Sequence, residues 1–201
     1  MSDIIVQKFG GTSVGSVERI DAVAEIIKKT SQDNKVVVVV SAMSGETNRL
    51  IDLAKHFSKS PYKREFDALI STGETVSSAL LTIALQSKGI QARSYSASQI
   101  SMRTTSSFSK AKILDVNENK IKDVLDEGMI PIITGFQGIT ESGDITTLGR
   151  GGSDTTAVAI ASKINAKRCD IYTDVDGIFT ADPKVVPNAK KLESITMEEM
   201  L

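Results

Sequence analysis

Cysteine, histidine and tryptophan are nearly absent from this chain. Its 201 residues include one cysteine, Cys169, one histidine, His56, and no tryptophan. A single cysteine excludes an internal disulfide framework, and one cysteine with one histidine cannot form a Cys/His zinc site. A Ser-His-Asp catalytic set would have to use His56, which lies in a polar stretch. We therefore interpret His56 as a surface residue.

An excess of either charge is also missing, because 24 basic residues face 25 acidic ones. This balance is not that of a strongly basic nucleic-acid-binding protein. The longest apolar run at a strand position is only 36–40, and no 18-residue apolar span occurs, which predicts no transmembrane helix. The N-terminus enters a predicted strand without the basic region and cleavage site of a signal peptide. We expect a cytoplasmic protein that binds neither nucleic acid nor membrane.

What the chain does have is an alternation of β-rich runs and stretches of helical periodicity. With 40% apolar residues, it has the composition of a globular protein. The nearly all-valine run 35–41 predicts a strand buried on both faces, as in a parallel sheet. Further strands are expected at 4–6, 90–95, 130–134 and 169–173, a hairpin at 138–147, and helices after the cap Ser16 and at 47–58, 63–87, 117–127 and 154–164. This order predicts one α/β domain over residues 1–201, a three-layer α/β/α sandwich with a mainly parallel central sheet.

The first chemical motif is a glycine loop between a strand and a helix. Lys8 ends the strand, and Gly10 and Gly11 follow it before two hydroxyl residues. Glycine lets backbone N–H groups approach phosphate oxygens, the helix N-terminus favours anions, and lysine adds a point charge. The pattern is neither that of a P-loop nor that of a dinucleotide-binding loop. The alternative is a tight turn with a surface lysine.

A second glycine-rich loop, residues 147–156, also lies between a strand and a helix. Arg150 can grip a carboxylate or phosphate with two parallel hydrogen bonds, and Asp154 could organise cationic side chains or accept a proton. The alternative for Ser153 or Asp154 is a helix N-cap, a role that is compatible with function. Three glycines around one arginine are more than a turn requires, which favours a functional loop.

Polar residues after the last predicted strand form a third motif, 172–184. Polar groups at the carboxyl end of a strand lie where open α/β sheets bind ligands. Asp174 and Asp176 resemble part of a calcium loop, but no glutamate occupies its twelfth position. A nucleotide base and ribose site is the better interpretation, and a pair of turns is the alternative. Two weaker segments, 41–47 and 71–74, also follow or interrupt elements, and Glu74 alone would ordinarily be a solvated helix residue.

Together these segments resemble the catalytic domain of the aspartate kinases, in the amino-acid kinase superfamily. The resemblance runs from Ile5 to Leu201 and is carried, in order, by the loop at 8–13 and the segments 71–74, 135–138, 149–154 and 172–183. It implies phosphoryl transfer from Mg-ATP to the β-carboxylate of L-aspartate, giving 4-phospho-L-aspartate, the first step toward lysine, threonine and methionine. The implied cofactors are ATP and Mg²⁺, with no metal-ligating residue assigned, and a homo-oligomer is expected.

The resemblance also implies roles for individual residues. Lys8 would contact the transferring phosphoryl group and Asp154 would organise the catalytic lysines. Glu74 would hold the α-ammonium of the substrate and Arg150 its α-carboxylate. The other implied substrate-binding residues are Thr47, Gly151, Gly152 and Ser153, and the implied ATP-binding residues are Lys8, Gly10, Gly11, Ser41, Thr173, Asp174, Phe179 and Lys184.

The chain departs from the family pattern in two places. After Asp182-Pro183 the family commonly has arginine, whereas here Lys184 keeps the charge but loses the two-pronged hydrogen bonding. Family members also continue past Leu201, with a further lysine near the phosphates, the last strand of the kinase sheet and two regulatory ACT modules. Only five residues follow Thr196, the first residue of a capping-box pattern. We therefore expect a C-terminally truncated kinase domain with weak or absent turnover and retained nucleotide affinity.

Two alternatives remain open at this stage. One is a relative in the superfamily that acts on glutamate, acetylglutamate, carbamate or UMP. The other is a non-catalytic fragment that binds nucleotide or assembles with a partner chain.

Overall fold

Five parallel strands form the central sheet of the computed structural model, which describes residues 2–174, 180, 181, 186 and 188–192. The strands are β1 (Ile4–Phe9), β2 (Lys35–Val40), β3 (Ala92–Tyr95), β6 (Ile130–Thr134) and β9 (Arg168–Tyr172). Their spatial order is β3-β6-β2-β1-β9, and every neighbouring pair is parallel. This confirms the parallel sheet that the valine-rich run predicted.

Helices cover both faces of this sheet. They are α1 (Val17–Thr30), α2 (Glu46–Phe57), α3 (Lys63–Ile70), α4 (Thr72–Ser87), α5 (Glu118–Asp126) and α6 (Gly152–Lys163). In β2, Val36, Val38 and Val40 pack in one apolar cluster with residues of α1 and α4. Val37 and Val39 pack in a second cluster with residues of α5 and α6. Because side chains alternate along a strand, β2 is buried on both faces, which confirms the three-layer α/β/α fold.

A second, smaller sheet lies beside the first. Its strands are β4 (Arg103–Thr104), β5 (Ile113–Asp115), β7 (Gln137–Ile139) and β8 (Ile145–Thr147), in the order β5-β4-β7-β8. The antiparallel pair β7–β8 confirms the predicted hairpin. The sequence did not predict β4 and β5, because runs of two and three residues carry no readable periodicity.

Most helices lie where the sequence placed them. Ser16 caps α1, since its hydroxyl accepts a hydrogen bond from the N–H of Arg19 at 3.3 Å. The predicted helix over 63–87 is divided into α3 and α4, which meet at Ser71. Ser71 keeps helical backbone angles, φ −67° and ψ −16°, so the helical path continues through it. His56, at the end of α2, is exposed as expected.

The stretch Lys63–Ser87 is long and apolar enough, by length and composition alone, to cross a membrane. Half of the window that meets this criterion is buried within the fold. The stretch also carries two buried carboxylates, Asp67 and Glu74. Both features are those of a helix that packs inside a globular core.

Candidate active site

A cleft of about 330 Å³ opens at the carboxyl ends of the central strands. The last residues of β1, β2 and β6 lie level with one another, because Phe9 pairs with Val40 and Val40 with Thr134. The cleft is lined by Lys8 on β1, by residues that follow β2 and β6, and by the starts of α2, α4 and α6. Open α/β sheets bind their ligands at this edge.

The cleft brings together most of the residues that the sequence singled out. Its lining includes the predicted nucleotide-binding residues Lys8 and Ser41 and the predicted substrate-binding residues Thr47 and Glu74. The whole run 150–154 also lines it, so the second glycine-rich loop faces the same space as Lys8. Gly10 and Gly11 of the first loop are not part of this lining.

An ion pair joins the two predicted catalytic residues. The Nζ atom of Lys8, on β1, lies 2.7 Å from Oδ1 of Asp154, in the first turn of α6. The side chain of Lys8 is 8% exposed and that of Asp154 is 37% exposed. A largely buried ammonium group is therefore held beside the N-terminus of a helix, where both the charge and the helix dipole favour an anion.

Helix α6 does not begin at the N-cap that the sequence offered, Ser153 or Asp154. The helix begins at Gly152, and its N-cap is Gly151, with φ 75° and no side-chain capping bond. The interpretation of Ser153 or Asp154 as the cap is therefore wrong, and Asp154 pairs with Lys8 instead. Ser153 is buried against Gly135, where a Cβ atom would come within 2.7 Å of the Ser153 side chain. Glycine at 135 is thus what lets α6 approach the end of β6.

Glu74 is buried in the cleft, with only 3% of its surface exposed. Its Oε1 accepts a hydrogen bond from the N–H of Ala42 at 3.0 Å, whereas its buried Oε2 has no partner. Burial raises the pKa of Glu74 to about 7, against the lowering effect of the hydrogen bond from Ala42. The solvated-helix interpretation of this residue is therefore wrong. The cleft instead contains a carboxylate oxygen that only a ligand or water can satisfy.

Two contacts seat Glu74 at this position. Gly73 lies so close to Ala42 that a Cβ on the glycine would be 2.8 Å from the Ala42 side chain. The hydroxyl of Ser77 donates to the carbonyl oxygen of Ser41 at 2.7 Å. The start of α4 is thereby fastened to the residues that follow β2.

Arg150 enters the cleft from the loop between β8 and α6. Its side chain is exposed, and no acidic residue in the described part of the chain forms an ion pair with it. Thr47, half-buried in the first turn of α2, adds a hydroxyl group to the lining. The guanidinium is therefore available to bind a carboxylate or phosphate.

Only some of the predicted nucleotide-binding residues line the cleft. The N–H of Gly10 donates to the carbonyl oxygen of Tyr172 at 3.0 Å, and Gly10 lies beside Nζ of Lys8. Gly11 packs against the Ala42 carbonyl. Thr173 and Asp174 follow β9 at the same edge of the sheet, but they are exposed and do not line the cleft. Phe179 and Lys184, like residues 196–199, lie outside the described residues, so their roles stay predictions.

The sequence assigned no role to Phe136, which also lines the cleft. Its backbone has φ 67°, a left-handed conformation that is costly for a bulky residue. The N–H of Phe136 donates to the hydroxyl of Thr156 at 3.2 Å, and its carbonyl oxygen accepts from the N–H of Leu148 at 2.9 Å. These bonds hold the strained residue between α6 and the Arg150 loop. Its place in the segment Gly135-Phe136-Gln137-Gly138, which begins where the core strand β6 ends, was the available signal.

The described residues include no group of three or more histidine, cysteine, aspartate or glutamate side chains that could hold a metal ion. The carboxylates that line the cleft are Glu74 and Asp154. Mg²⁺ commonly takes one or two carboxylates and completes its shell with water and substrate phosphates. This part of the chain fits a magnesium ion that arrives on a nucleotide better than a resident one.

Comparison with known proteins agrees with this geometry. Residues 3–201 match the model of the amino acid kinase family. An aspartate kinase from Pseudomonas putida is 58% identical over 199 residues, which are 98% of this chain and 48% of that protein. The chain thus spans about half the length of the curated relatives it matches.

Two crystal structures extend the comparison. Aspartate kinase from Synechocystis superposes with a TM-score of 0.76 and 51% identity over 92% of this chain and 31% of that one. Aspartokinase III from E. coli, in complex with aspartate and ADP, gives a TM-score of 0.79 and 30% identity over 94% of this chain and 53% of that one. The family match over nearly all residues, together with the fold and the cleft, identifies the chain as a member of the amino acid kinase family.

Proposed function

We propose that this chain is the catalytic unit of an aspartate kinase, which transfers a phosphoryl group from Mg-ATP to the β-carboxylate of L-aspartate. The product is 4-phospho-L-aspartate. The observation that carries the proposal is the unpartnered, buried oxygen of Glu74 in the same cleft as Arg150 and the Lys8–Asp154 pair. The relatives named aspartate kinase, and the neighbour that holds aspartate and ADP, support it.

The amino-acid subsite needs one anion and one cation. In this proposal the free oxygen of Glu74 accepts the α-ammonium group, and Arg150 binds the α-carboxylate through two parallel hydrogen bonds. The hydroxyls of Thr47 and Ser153 contribute further hydrogen bonds from the lining. Fixing the two charged groups on the α-carbon leaves the β-carboxylate, at the other end of the molecule, as the group presented toward Lys8, which is a matter of alignment.

The phosphoryl subsite lies around Lys8. Phosphoryl transfer asks a protein mainly for alignment and for neutralisation of charge on the phosphoryl oxygens. Lys8 supplies a positive charge that Asp154 holds in place at 2.7 Å, and the N-terminus of α6 adds backbone N–H groups. In this proposal the N–H of Gly11 contributes to phosphate binding, whereas the N–H of Gly10 is already bonded to the Tyr172 carbonyl oxygen. Magnesium, when bound with ATP, neutralises further phosphate charge.

The free oxygen of Glu74 also discriminates among the acids on which the superfamily acts. Acetylglutamate, carbamate and UMP carry no ammonium group, so none of them would satisfy a buried carboxylate at this position. Glutamate does carry one and is longer than aspartate by a single methylene group. The sharpest alternative substrate is therefore glutamate.

Titration of Mg-ATP into the chain by calorimetry, with and without L-aspartate, tests the proposal. We expect saturable nucleotide binding that tightens in the presence of L-aspartate but not of UMP. If only glutamate tightens nucleotide binding, the substrate is glutamate and not aspartate. Nucleotide binding that no amino acid affects would favour the non-catalytic fragment. The homo-oligomer and the cytoplasmic location stay predictions, which sedimentation and cell fractionation would check.

A further inference from the structure

A second buried carboxylate, outside the cleft, belongs to Asp67 on α3. Asp67 is 0% exposed. Its Oδ2 accepts hydrogen bonds from the N–H of Ser109 at 2.7 Å and the N–H of Thr147 at 2.8 Å. Its Oδ1 accepts from the hydroxyl of Ser109 at 2.8 Å. Within the described part of the chain, no lysine or arginine pairs with it, so these three donors replace the water that burial removed.

These donors belong to the chain that leads into the Arg150 loop. Thr147 is the last residue of β8 and stands three residues before Arg150. Its carbonyl oxygen accepts from the N–H of Ala111 at 2.9 Å, which ties the Ser109 segment to the same strand. Gly149, the next residue but one, lies against the Ser109 carbonyl, since a Cβ on it would be 3.5 Å away. Asp67 therefore fixes both chain segments that support the base of this loop.

Asp67 is also tied to the other half of the amino-acid subsite. Asp67 and Glu74 are seven residues apart along the helical path through α3, Ser71 and α4, so they lie two turns apart on one face. A second brace runs from β7, where the side-chain amide of Gln137 donates to the Ser71 carbonyl oxygen at 3.0 Å. The helical segment that carries Glu74 is thus bonded directly to the hairpin that carries the Arg150 loop.

We propose that Asp67 is a positioning residue of the amino-acid subsite, which sets the spacing between Glu74 and Arg150. The inference rests on the proposed function, because it assumes that these two residues grip the two charged groups of one amino acid. Asp67 does not touch the substrate. It acts through the backbone of Thr147 and Ser109, so its loss should weaken amino-acid binding and leave the Lys8 side of the cleft intact.

Two substitutions separate positioning from bulk stability. Asp67→Ala removes all three acceptor bonds. Asp67→Asn keeps all three contacts, because the amide oxygen can accept from both N–H groups and the third bond is reversed, with the amide nitrogen donating to the Ser109 hydroxyl oxygen. We expect the Kd of L-aspartate, measured by calorimetry with Mg-ADP present, to rise about tenfold or more in Asp67→Ala. It should stay within about threefold of the wild-type value in Asp67→Asn, and the Kd of Mg-ADP within about twofold in both variants.

A second measurement requires no substrate. Hydrogen exchange followed by mass spectrometry, on the ligand-free chain, should show faster exchange over residues 147–152 in Asp67→Ala, and wild-type rates in Asp67→Asn. If the wild-type chain binds no amino acid, the proposed function fails, and this exchange pattern alone decides whether Asp67 anchors the loop.

Three results would overturn the inference. They are wild-type aspartate affinity in Asp67→Ala, equal loss of aspartate and ADP affinity, or unchanged exchange over residues 147–152. If Asp67→Ala does not fold, Ser109→Gly is the substitute, since it removes one donor and suits the φ of 68° at that position. It should weaken aspartate binding about threefold with ADP binding unchanged, and unchanged aspartate binding would again overturn the inference.

Discussion

A buried carboxylate lies on each side of the α3–α4 junction at Ser71, Asp67 before it and Glu74 after it, and the two have opposite surroundings. Around Asp67 the protein supplies three hydrogen-bond donors and leaves no oxygen unsatisfied. Around Glu74 it supplies one, from Ala42, and leaves Oε2 without a partner. The first environment is complete without a ligand, whereas the second is complete only with one. This difference separates a positioning carboxylate from a binding carboxylate more clearly than burial does.

The largest expected effect is a loss of stability when Asp67 is replaced. Asp67→Ala leaves the N–H groups of Ser109 and Thr147 buried without an acceptor. We expect the free energy of unfolding at pH 8 to fall by about 3 kcal/mol. Urea denaturation measures it, with Glu141→Gln as the control, because Glu141 is exposed and lies in the turn of the β7–β8 hairpin, at the opposite end of β8 from Thr147. A loss no larger than that of the control would remove the distinction between the two carboxylates.

Substitution of Glu74 should act in the opposite direction, because it should raise stability relative to the wild type as the pH rises. Burial raises the pKa of Glu74 from its ordinary value of 4.5 to about 7. Between these values the folded protein binds more protons than the unfolded chain, so stability falls as pH rises from 4.5 and levels off above 7. Glu74→Gln removes this loss. Between pH 5 and pH 8, its stability relative to the wild type should therefore increase by roughly 2 to 3 kcal/mol.

The same denaturation series, repeated at the two pH values, checks this expectation. Comparison of two pH values cancels the cost of burying the glutamine amide, which does not titrate. A stability difference that stays constant with pH would show that Glu74 titrates normally in the folded protein. Water would then satisfy its oxygen, and no ligand would be needed to do so.

The pH dependence of ligand binding is the next effect in size. The protonated side chain of Glu74 cannot pair with an ammonium group, so aspartate affinity should fall by about tenfold per pH unit below 7. L-Aspartate keeps its charge in this range, because its β-carboxyl titrates near 4. Calorimetry at pH 5.5, 6.5 and 7.5 measures the slope. A wild-type slope no steeper than that of Glu74→Gln would assign the titration to another group.

The smallest effect belongs to charges at the opposite edge of the sheet. There the ammonium of Lys35 pairs with Asp126 at 2.6 Å, and both side chains are solvent-accessible. Exposed pairs gain little because water and salt screen them. Asp126→Asn should shift Tm by less than about 2 °C and leave aspartate affinity unchanged. A larger shift would mean that charge pairs, and not the buried carboxylates alone, decide stability in this fold.

Local sequence patterns predicted the frame of the site but not its polar details. The valine run of β2, the two glycine loops, Lys8 and Arg150 were readable because their signals are local. The burial of Glu74 was not, since it depends on contact between Gly73 and Ala42, which are 31 residues apart. The sequence did not single out Asp67 for the same reason. It stands in an ordinary helical stretch, and its partners are 42 and 80 residues away.

The α6 N-terminus illustrates a different limit. Serine and aspartate are strong capping residues, so local preference favoured a cap at Ser153 or Asp154. The helix instead begins at Gly152, and tertiary structure uses Asp154 to hold Lys8. The resemblance to a known family predicted that role, whereas capping preference alone did not.

In the proposed function, the free oxygen of Glu74 holds the ammonium group of the substrate. The most direct test of this contact compares the binding of L-aspartate and succinate, which lacks that group, to the wild type and to Glu74→Gln at pH 8. We expect the wild type to prefer aspartate by about 100-fold or more, and the variant to bind both ligands within about threefold of each other. A wild-type chain that binds both equally, or a preference that survives in Glu74→Gln, would contradict the account.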